Sequence, residues 1–423
     1  MTPPLPTLSE PFTTYLERYA DLVTTVGMNV QPGQVVAVRG EVIHRELLFQ
    51  IAKRAYQKGA KLVQCDLIEP RLAYERVIES QEDHLDFVSS AQRARFDELV
   101  ETQGATCRIV GEENPHLMSS LDPHRVNRAE VSARRALKRF YDDGISKNLV
   151  QWTICAGATP GWAHCIFPDM SPEEACLRLW EEIFRITRVD TPDYLVRWDA
   201  HNKALSRRER VLNEMQIATL HFTGPGTDLN VGLSPLARFV GGAKSSQRGS
   251  LYEANIPTEE CFTTPDWRLT HGVVRVTRPV TVNGVLIRDI VLEFEKGTIV
   301  RTEASYGKAT LDAYLDSDEG ARRLGEVALV GIDSPIYQSG LLFEEILFDE
   351  NAACHIAVGS AYHYCLEGGP AMTTEERDAV GCNDSVVHTD FMISDAAVSV
   401  EARTHGGESI SLIRRGEWQG TAR

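Results

Sequence analysis

The chain is 423 residues long, with 44 Lys and Arg against 60 Asp and Glu and a net charge of −16. That balance argues against a nucleic-acid or anionic-membrane partner, because no Lys/Arg-rich run is present to neutralise phosphates. A hydrophobic fraction of 43% is that of a folded globular protein of two or three domains, not of a disordered chain.

The run Met1-Thr2-Pro3-Pro4-Leu5-Pro6 has neither the basic region nor the apolar stretch of a secretory signal. No segment approaches the ~18 consecutive apolar residues of a membrane-spanning helix. The nine cysteines are odd in number, scattered, and never spaced as C-x-x-C. Disulfide frameworks and cysteine zinc sites are therefore not expected, and the chain reads as a reduced, cytoplasmic protein.

In chain order, apolar spacing predicts a helix over 12–28, and Pro32-Gly33 turns the chain into a short strand over 35–38. A helix over 46–57 stops at Gly59, before a second strand over 61–65. A helix over 126–141 and an apolar strand over 149–154 follow. Ser171-Pro172-Glu173-Glu174 opens another helix with a capping box and a proline in its first turn. Such alternation predicts an α/β N-terminal domain with a mainly parallel sheet, residues 1–200.

Beyond about residue 195 helical patterns become sparse. Short β-rich runs replace them at 218–222, 272–276, 290–294 and 298–300, separated by turn signals at Asn283-Gly284 and Lys296-Gly297. An α+β C-terminal catalytic domain with a large, mostly antiparallel sheet is expected over 201–423, the boundary falling within 190–215. Gly224-Pro225-Gly226 lacks the third glycine of a nucleotide-binding loop and precedes a β-like run, so no nucleotide site is expected there.

Metal chemistry needs imidazole nitrogens and carboxylate oxygens converging from several segments. His388-Thr389-Asp390 lies in an apolar run, and strand geometry puts both ligand-type side chains on one face. By itself the pair also fits a surface polar pair. His355, in an apolar run too, fits a hydrogen-bonded core histidine equally well. Glu259-Glu260 interrupts a β-like run with two adjacent carboxylates, and Glu326 stands at the mouth of another; either place also suits a solvated strand end. No H-E-x-x-H occurs, so a single-helix zinc site is not expected.

Together these segments resemble the M29 family of metallo-aminopeptidases. The matching runs are Asn255-Ile256-Pro257-Thr258-Glu259-Glu260-Cys261-Phe262-Thr263-Thr264-Pro265 and Ser334-Pro335-Ile336-Tyr337-Gln338-Ser339-Gly340. They continue in Leu347-Phe348-Asp349-Glu350-Asn351-Ala352-Ala353-Cys354-His355 and Asn383-Asp384-Ser385-Val386-Val387-His388-Thr389-Asp390-Phe391-Met392. Residues 19–67 also look like the family's α/β domain.

The resemblance implies that Glu260, Glu326, His355, His388 and Asp390 are metal ligands and that Tyr362 is an active-site tyrosine. Tyr337 and the run His363-Tyr364-Cys365 are bulkier than the family pattern, which bears on side-chain specificity. Three carboxylates and two imidazoles suit two divalent ions, zinc, cobalt or manganese, with Glu326 as bridge. Glu260 and His355 then stand on one side, His388 and Asp390 on the other. A bridging water would be the nucleophile on the N-terminal peptide bond of a peptide with a free amine, Glu259 its general base and Tyr362 a donor to the oxyanion. The family further implies a homodimer whose active sites face an enclosed cavity. Two other readings compete. A mononuclear non-haem Fe(II) ring-cleaving dioxygenase would use His388, Asp390 and one more histidine but would not require both Glu260 and Glu326. A catalytically silent binding protein would need no metal at all.

Overall fold

A computed structural model describes residues 9–422, so the run Met1 to Pro6 lies outside the described residues. The alternation in the first half builds a five-stranded, all-parallel sheet. Its order is Leu62–Ile68, Val35–Glu41, Ala105–Val110, Gln151–Ala156 and, at the edge, Asn255–Ile256. The sheet is covered on both faces, which is why its central strands read as apolar runs. Val36, Val38, Cys107, Ile109 and Cys155 pack with Tyr19, Ile51, Leu179 and Phe184 in one core, and Val35 with Leu99, Val100 and Phe140 in another.

The helix expected over 46–57 is Arg45–Gln57, and the following strand is Leu62–Ile68. The first expected helix is α-helical over Phe12–Leu22 and closes in a π-turn at Val23–Gly27. The next lies three residues earlier than its apolar spacing, at Pro123–Ala136, because Asp122 caps the His124 amide at 2.9 Å and Pro123 starts the turn. Ser171 and Glu174 form the expected capping box at the head of Pro172–Ile186, each side chain 3.3 Å from the other's amide.

The expectation of sparse helix after residue 195 is corrected by Tyr194–Glu214, a helix of 21 residues. It buries only Trp198, Leu205 and Leu212, one residue every two turns. So thin a stripe carries little 3.6-residue periodicity, and the charged remainder of the helix masks it.

Beyond it, two antiparallel sheets pack face to face. The larger has eight strands: Thr298–Glu303, Val291–Glu295, His271–Arg275, Thr227–Gly232, Ile217–Gly224, Ser399–Thr404, Ser409–Arg414 and Glu417–Trp418. The smaller runs His388–Met392, His355–Gly359, Leu324–Leu329, Cys261–Thr263 and Val240–Gly241. Leu220, Phe222, Val274 and Leu292 of one meet Val327, Leu329, Ile356 and Phe391 of the other in a common core. Both turn signals form left-handed pairs, with φ of 49° and 74° at Asn283 and Gly284 and of 48° and 83° at Lys296 and Gly297. These are the φ values a two-residue hairpin requires. Gly224-Pro225-Gly226 joins two antiparallel strands rather than opening a helix.

Two segments of the second half return to the first. Strand Asn255–Ile256 extends the parallel sheet, and Ile336, Phe343, Leu347 and Phe348 enter its core. The chain from 255 to 263 therefore leaves the carboxyl end of a parallel strand and enters the smaller antiparallel sheet within a few residues.

Candidate metal centre

That crossing positions the site. In the smaller sheet, Glu326 pairs with Ala357 and Ala357 with Asp390, while His355 pairs with Ala328 and Met392, and His388 with Gly359. Residues directly opposite in an antiparallel pair share a face, as do residues two apart on one strand. Glu326, His355, His388 and Asp390 therefore all stand on one face, and Ala328, Ala357 and Gly359 between them leave room for ions. Glu260 reaches the same face from the strand Cys261–Thr263, since Phe262 pairs with Ala328. The opposite face, with Val327, Leu329, Ile356 and Phe391, is the sandwich core. A bulge at Gly325 shifts the register so that Glu326 falls on the site face. A Cβ at Gly325 would lie 2.4 Å from the Gly359 carbonyl oxygen, so glycine alone fits there.

The side chains converge closely. His355 Nε2 is 2.9 Å from Glu260 Oε2, 3.9 Å from Glu326 Oε1 and 4.0 Å from Asp390 Oδ1. His388 Nε2 is 3.5 Å from Glu326 Oε2 and 3.9 Å from Asp390 Oδ1. Glu326 thus turns one oxygen to each imidazole. Two triads result, Glu260–Glu326–His355 and Glu326–His388–Asp390, sharing Glu326. Both histidines are oriented from behind: His355 Nδ1 is 3.1 Å from the Ala353 carbonyl and His388 Nδ1 is 2.7 Å from that of Ser360. Donation from Nδ1 leaves each Nε2 lone pair facing the carboxylates, the arrangement that metal-binding histidines adopt.

The electrostatics call for cations. Burial, then the charges of Glu260 and Asp390, pushes Glu326 well above the usual carboxylate range. Burial alone would lower His355, but the close approach and charge of the Glu260 carboxylate and the charges of Asp390 and Glu350 raise it well above an ordinary imidazole. Glu260 Oε2 is buried and accepts no well-aligned hydrogen bond, although His355 approaches it. Buried carboxylates of one sign are costly unless paired with positive charge or metal. The donor set and this orphaned oxygen fit divalent ions, held by imidazole nitrogen and carboxylate oxygen.

Tyr362 also reaches the cavity, its ring 5.1 Å from the His388 imidazole. Glu259 does not. Its carboxylate takes a 2.8 Å bond from Arg188, with His201 Nε2 at 3.8 Å, and its amide donates to Asn351 Oδ1. Neighbouring residues of an extended chain point to opposite sides, so the side chain beside Glu260's turns away from the cluster. The structure therefore does not bring the Glu259 carboxylate into the cavity that gathers the other site residues.

Two ionisable residues of the cavity had no assigned role from sequence. Glu350 lines the cavity, its Oε1 held by Asn255 Nδ2 at 3.0 Å and Asn351 Nδ2 at 3.2 Å. Burial, then Asp390 and Glu260, raises it well above the usual carboxylate range. The signal was present as Asp349-Glu350-Asn351, three polar residues inside an apolar stretch five positions before His355. Lys244 enters from the short strand Lys244–Ser245, which follows two glycines and carries no signal of its own. Its Nζ donates to Tyr364 Oη at 2.6 Å and lies 4.7 Å from the Phe262 and Tyr364 ring centres, 5.1 Å from Trp152 and 5.4 Å from Tyr362.

Behind Lys244 the fully buried Glu253 is pushed up to about 8, first by burial, with Lys244 and Asn202 opposing. A raised carboxyl holds its proton in the folded chain after the unfolded chain has released it. Stability from this group is full below pH 4.5 and is lost as pH rises towards about 8, by up to about 1.4 kcal/mol per pH unit. Glu253→Gln is therefore expected to flatten the fall of Tm between pH 5 and 8, which thermal unfolding across that range checks.

The sandwich face and its donor set are those of a divalent-metal enzyme. A family profile described as thermophilic metalloprotease (M29) matches residues 12–418. Aminopeptidase T of Thermus aquaticus is 40% identical over 409 residues, spanning 96% of this chain and 99% of its own. Aminopeptidase 2 of Geobacillus stearothermophilus is 40% identical across 95% of this chain and 97% of its own. The solved structure of wild-type AmpT from Thermus thermophilus superposes with a TM-score of 0.87 at 39% identity, covering 97% of this chain and all of that one. The chain belongs to the M29 family of thermophilic metalloproteases.

Proposed function

We propose that the chain is a dinuclear metallo-aminopeptidase that hydrolyses the N-terminal peptide bond of peptides. The observation that carries this reading is the sharing of Glu326 between two ligand triads, in a chain whose relatives bear aminopeptidase names. In this proposal Glu260 and His355 would hold one ion, His388 and Asp390 the other, and Glu326 would serve both. Zinc, cobalt and manganese are the ions this nitrogen-and-oxygen set suits. Bound there, such ions would supply Lewis acidity, to make a water nucleophilic near neutral pH and to polarise the scissile carbonyl.

The chain's own groups do the rest. The carboxylates of the cavity attract a substrate's free α-ammonium, which restricts the site to N-termini. Glu350, with one oxygen fixed by two amide groups, replaces Glu259 as the proposed general base: it lines the cavity, and its raised affinity for a proton suits that task. Tyr362 donates its hydroxyl proton in a hydrogen bond to the oxyanion. Lys244, held among four rings, stands beside this acidic wall, and burial lowers its affinity for a proton below that of an ordinary amine.

The test is a panel of aminoacyl-arylamides, free and N-acetylated, assayed before chelation, after it, and after separate return of zinc, cobalt or manganese. Hydrolysis of the free compounds alone, lost on chelation and restored by metal, is expected. Failure across the metal-loaded panel would overturn the proposal. A homodimer in a reducing cytoplasm accompanies it; sedimentation of the purified chain and its retention in a cytosolic fraction check these two points. No helix among the described residues is long and apolar enough to cross a membrane.

A further inference from the structure

Away from the catalytic cavity, three donors of mixed chemistry converge where the halves of the chain meet. His116 Nε2, Cys165 Sγ and a Glu344 carboxylate oxygen all lie within 4.8 Å of one another, His116 exposed and the others half-buried. The imidazole-to-sulfur distance is 3.7 Å. Around a tetrahedral ion with Zn–N near 2.0 Å and Zn–S near 2.3 Å, adjacent nitrogen and sulfur atoms sit roughly 3.5 Å apart. His116 and Cys165 therefore already stand about as far apart as two ligands of one ion.

The three donors come from three segments, and the loops that carry His116 and Glu344 are both anchored on the helix that carries Cys165. The loop after strand Ala105–Val110 carries His116. That loop is fixed by the Glu113 amide on Glu41 Oε2 at 2.8 Å and by Thr159 Oγ1 on the Glu112 carbonyl at 2.6 Å. It lies flush against helix Pro160–Ile166, where a Cβ on Gly161 would come within 1.9 Å of the Glu113 oxygen. Only glycine at 161 allows the loop to approach so closely that His116 meets Cys165 on the same helix. Glu344 arrives from the second half on a loop anchored by Trp162 Nε1 to the Phe343 carbonyl at 2.6 Å. Asp349 Oδ1 accepts the Phe343 amide at 3.2 Å, and Arg278 braces Asp349 at 2.7 Å. Glu344 itself has φ of +54°, a left-handed conformation unusual for glutamate. Residues held in such conformations concentrate where function over-determines the backbone.

We propose that His116, Cys165 and Glu344 form a second metal site, which binds one borderline divalent ion, zinc or cobalt, with its fourth position open to water. One imidazole, one thiolate and one carboxylate suit zinc and cobalt, and do not suit the all-oxygen preferences of magnesium or calcium. The site is distinct from the catalytic cluster, which contains no thiolate donor. Burial, with the charge of Glu344 behind it, raises the Cys165 thiol above its usual value, so ion binding displaces one proton from sulfur. Arg288 Nη2 stands 3.7 Å from Glu344 Oε1, a long and half-exposed pair that a divalent ion displaces readily. Because Glu344 belongs to the second half and His116 and Cys165 to the first, the bound ion clamps the two halves together. Its consequence is stability rather than turnover.

Cobalt(II) alone, added to the metal-free protein, separates this site from the catalytic one. Sulfur-to-cobalt charge transfer gives a near-ultraviolet band that nitrogen and oxygen ligands do not produce. Expected are that band in the wild type and in Glu326→Gln, its loss in Cys165→Ser, and at least tenfold weaker binding at this site in His116→Ala. Cys165→Ser should bind one cobalt fewer per chain, hydrolyse arylamides as the wild type does, and lose the metal-dependent part of its rise in Tm. Alkylation of Cys165 by iodoacetamide, read by mass spectrometry, should be slowed by Zn²⁺ in the folded wild type. Absence of the band, its persistence in Cys165→Ser, or alkylation indifferent to Zn²⁺ would each overturn the proposal.

Discussion

Glu326→Gln is expected to lower kcat/KM by about 10³-fold or more, roughly 4 kcal/mol of transition-state stabilisation, and to weaken ion binding. The change keeps the shape of the side chain and removes one negative charge and one acceptor oxygen. Glu326 is the residue both triads share, with Oε1 directed to His355 and Oε2 to His388. An amide cannot present two anionic oxygens to two cations, so their mutual repulsion goes uncompensated. The metal-free variant, in contrast, should be no less stable than the metal-free wild type. Glu326 is raised well above the carboxylate range by burial and by its acidic neighbours, so a neutral amide relieves repulsion there. Activity assays, metal analysis and thermal unfolding of the metal-free forms check the three parts separately. Normal turnover with normal metal content would sink the assignment of Glu326 as bridge.

Glu350→Gln is expected to act differently, lowering kcat by about 10² to 10³ while leaving metal content unchanged. Glu350 lines the cavity without belonging to either triad, and the amides of Asn255 and Asn351 hold its Oε1. A glutamine makes those contacts and cannot take a proton. The pH profile carries the diagnosis: the acid limb of kcat/KM expected of the wild type should be missing from the variant. Loss of metal from Glu350→Gln, or an unchanged acid limb, would return Glu350 to a structural role.

What the sequence reveals, and what it conceals, follows from the range of each signal. Glu260, His355, His388 and Asp390 were legible because they lie within runs that resemble the family's motifs, Glu326 only by the same resemblance outside those runs, and His388-Thr389-Asp390 disclosed its shared face through the period of a strand. Asn283-Gly284 and Lys296-Gly297 were legible because hairpin turns demand positive φ, which these residues tolerate. Strand partners were not legible. Period two states which residues share a face but not which strand lies alongside, so the union of Glu326, Ala357 and Asp390 in one row needed the structure. The same limit hid the return of Asn255–Ile256 to the parallel sheet. Glu259 and Glu260 could not be told apart by composition, and only the Arg188 ion pair shows which of them faces away. Lys244 was invisible for a simpler reason: its aromatic surroundings come from residues 152, 262, 362 and 364, more than a hundred positions apart at the extremes.

Family membership fixes the class of enzyme, and the shared glutamate carries the step from one ion to two. Anomalous diffraction from a crystal grown with Zn²⁺ tests that step most directly. Two peaks are predicted at the sheet face, one against Glu260 and His355, the other against His388 and Asp390, with Glu326 touching both. A single peak ligated by two histidines and one carboxylate, or no peak at that face, would contradict the account.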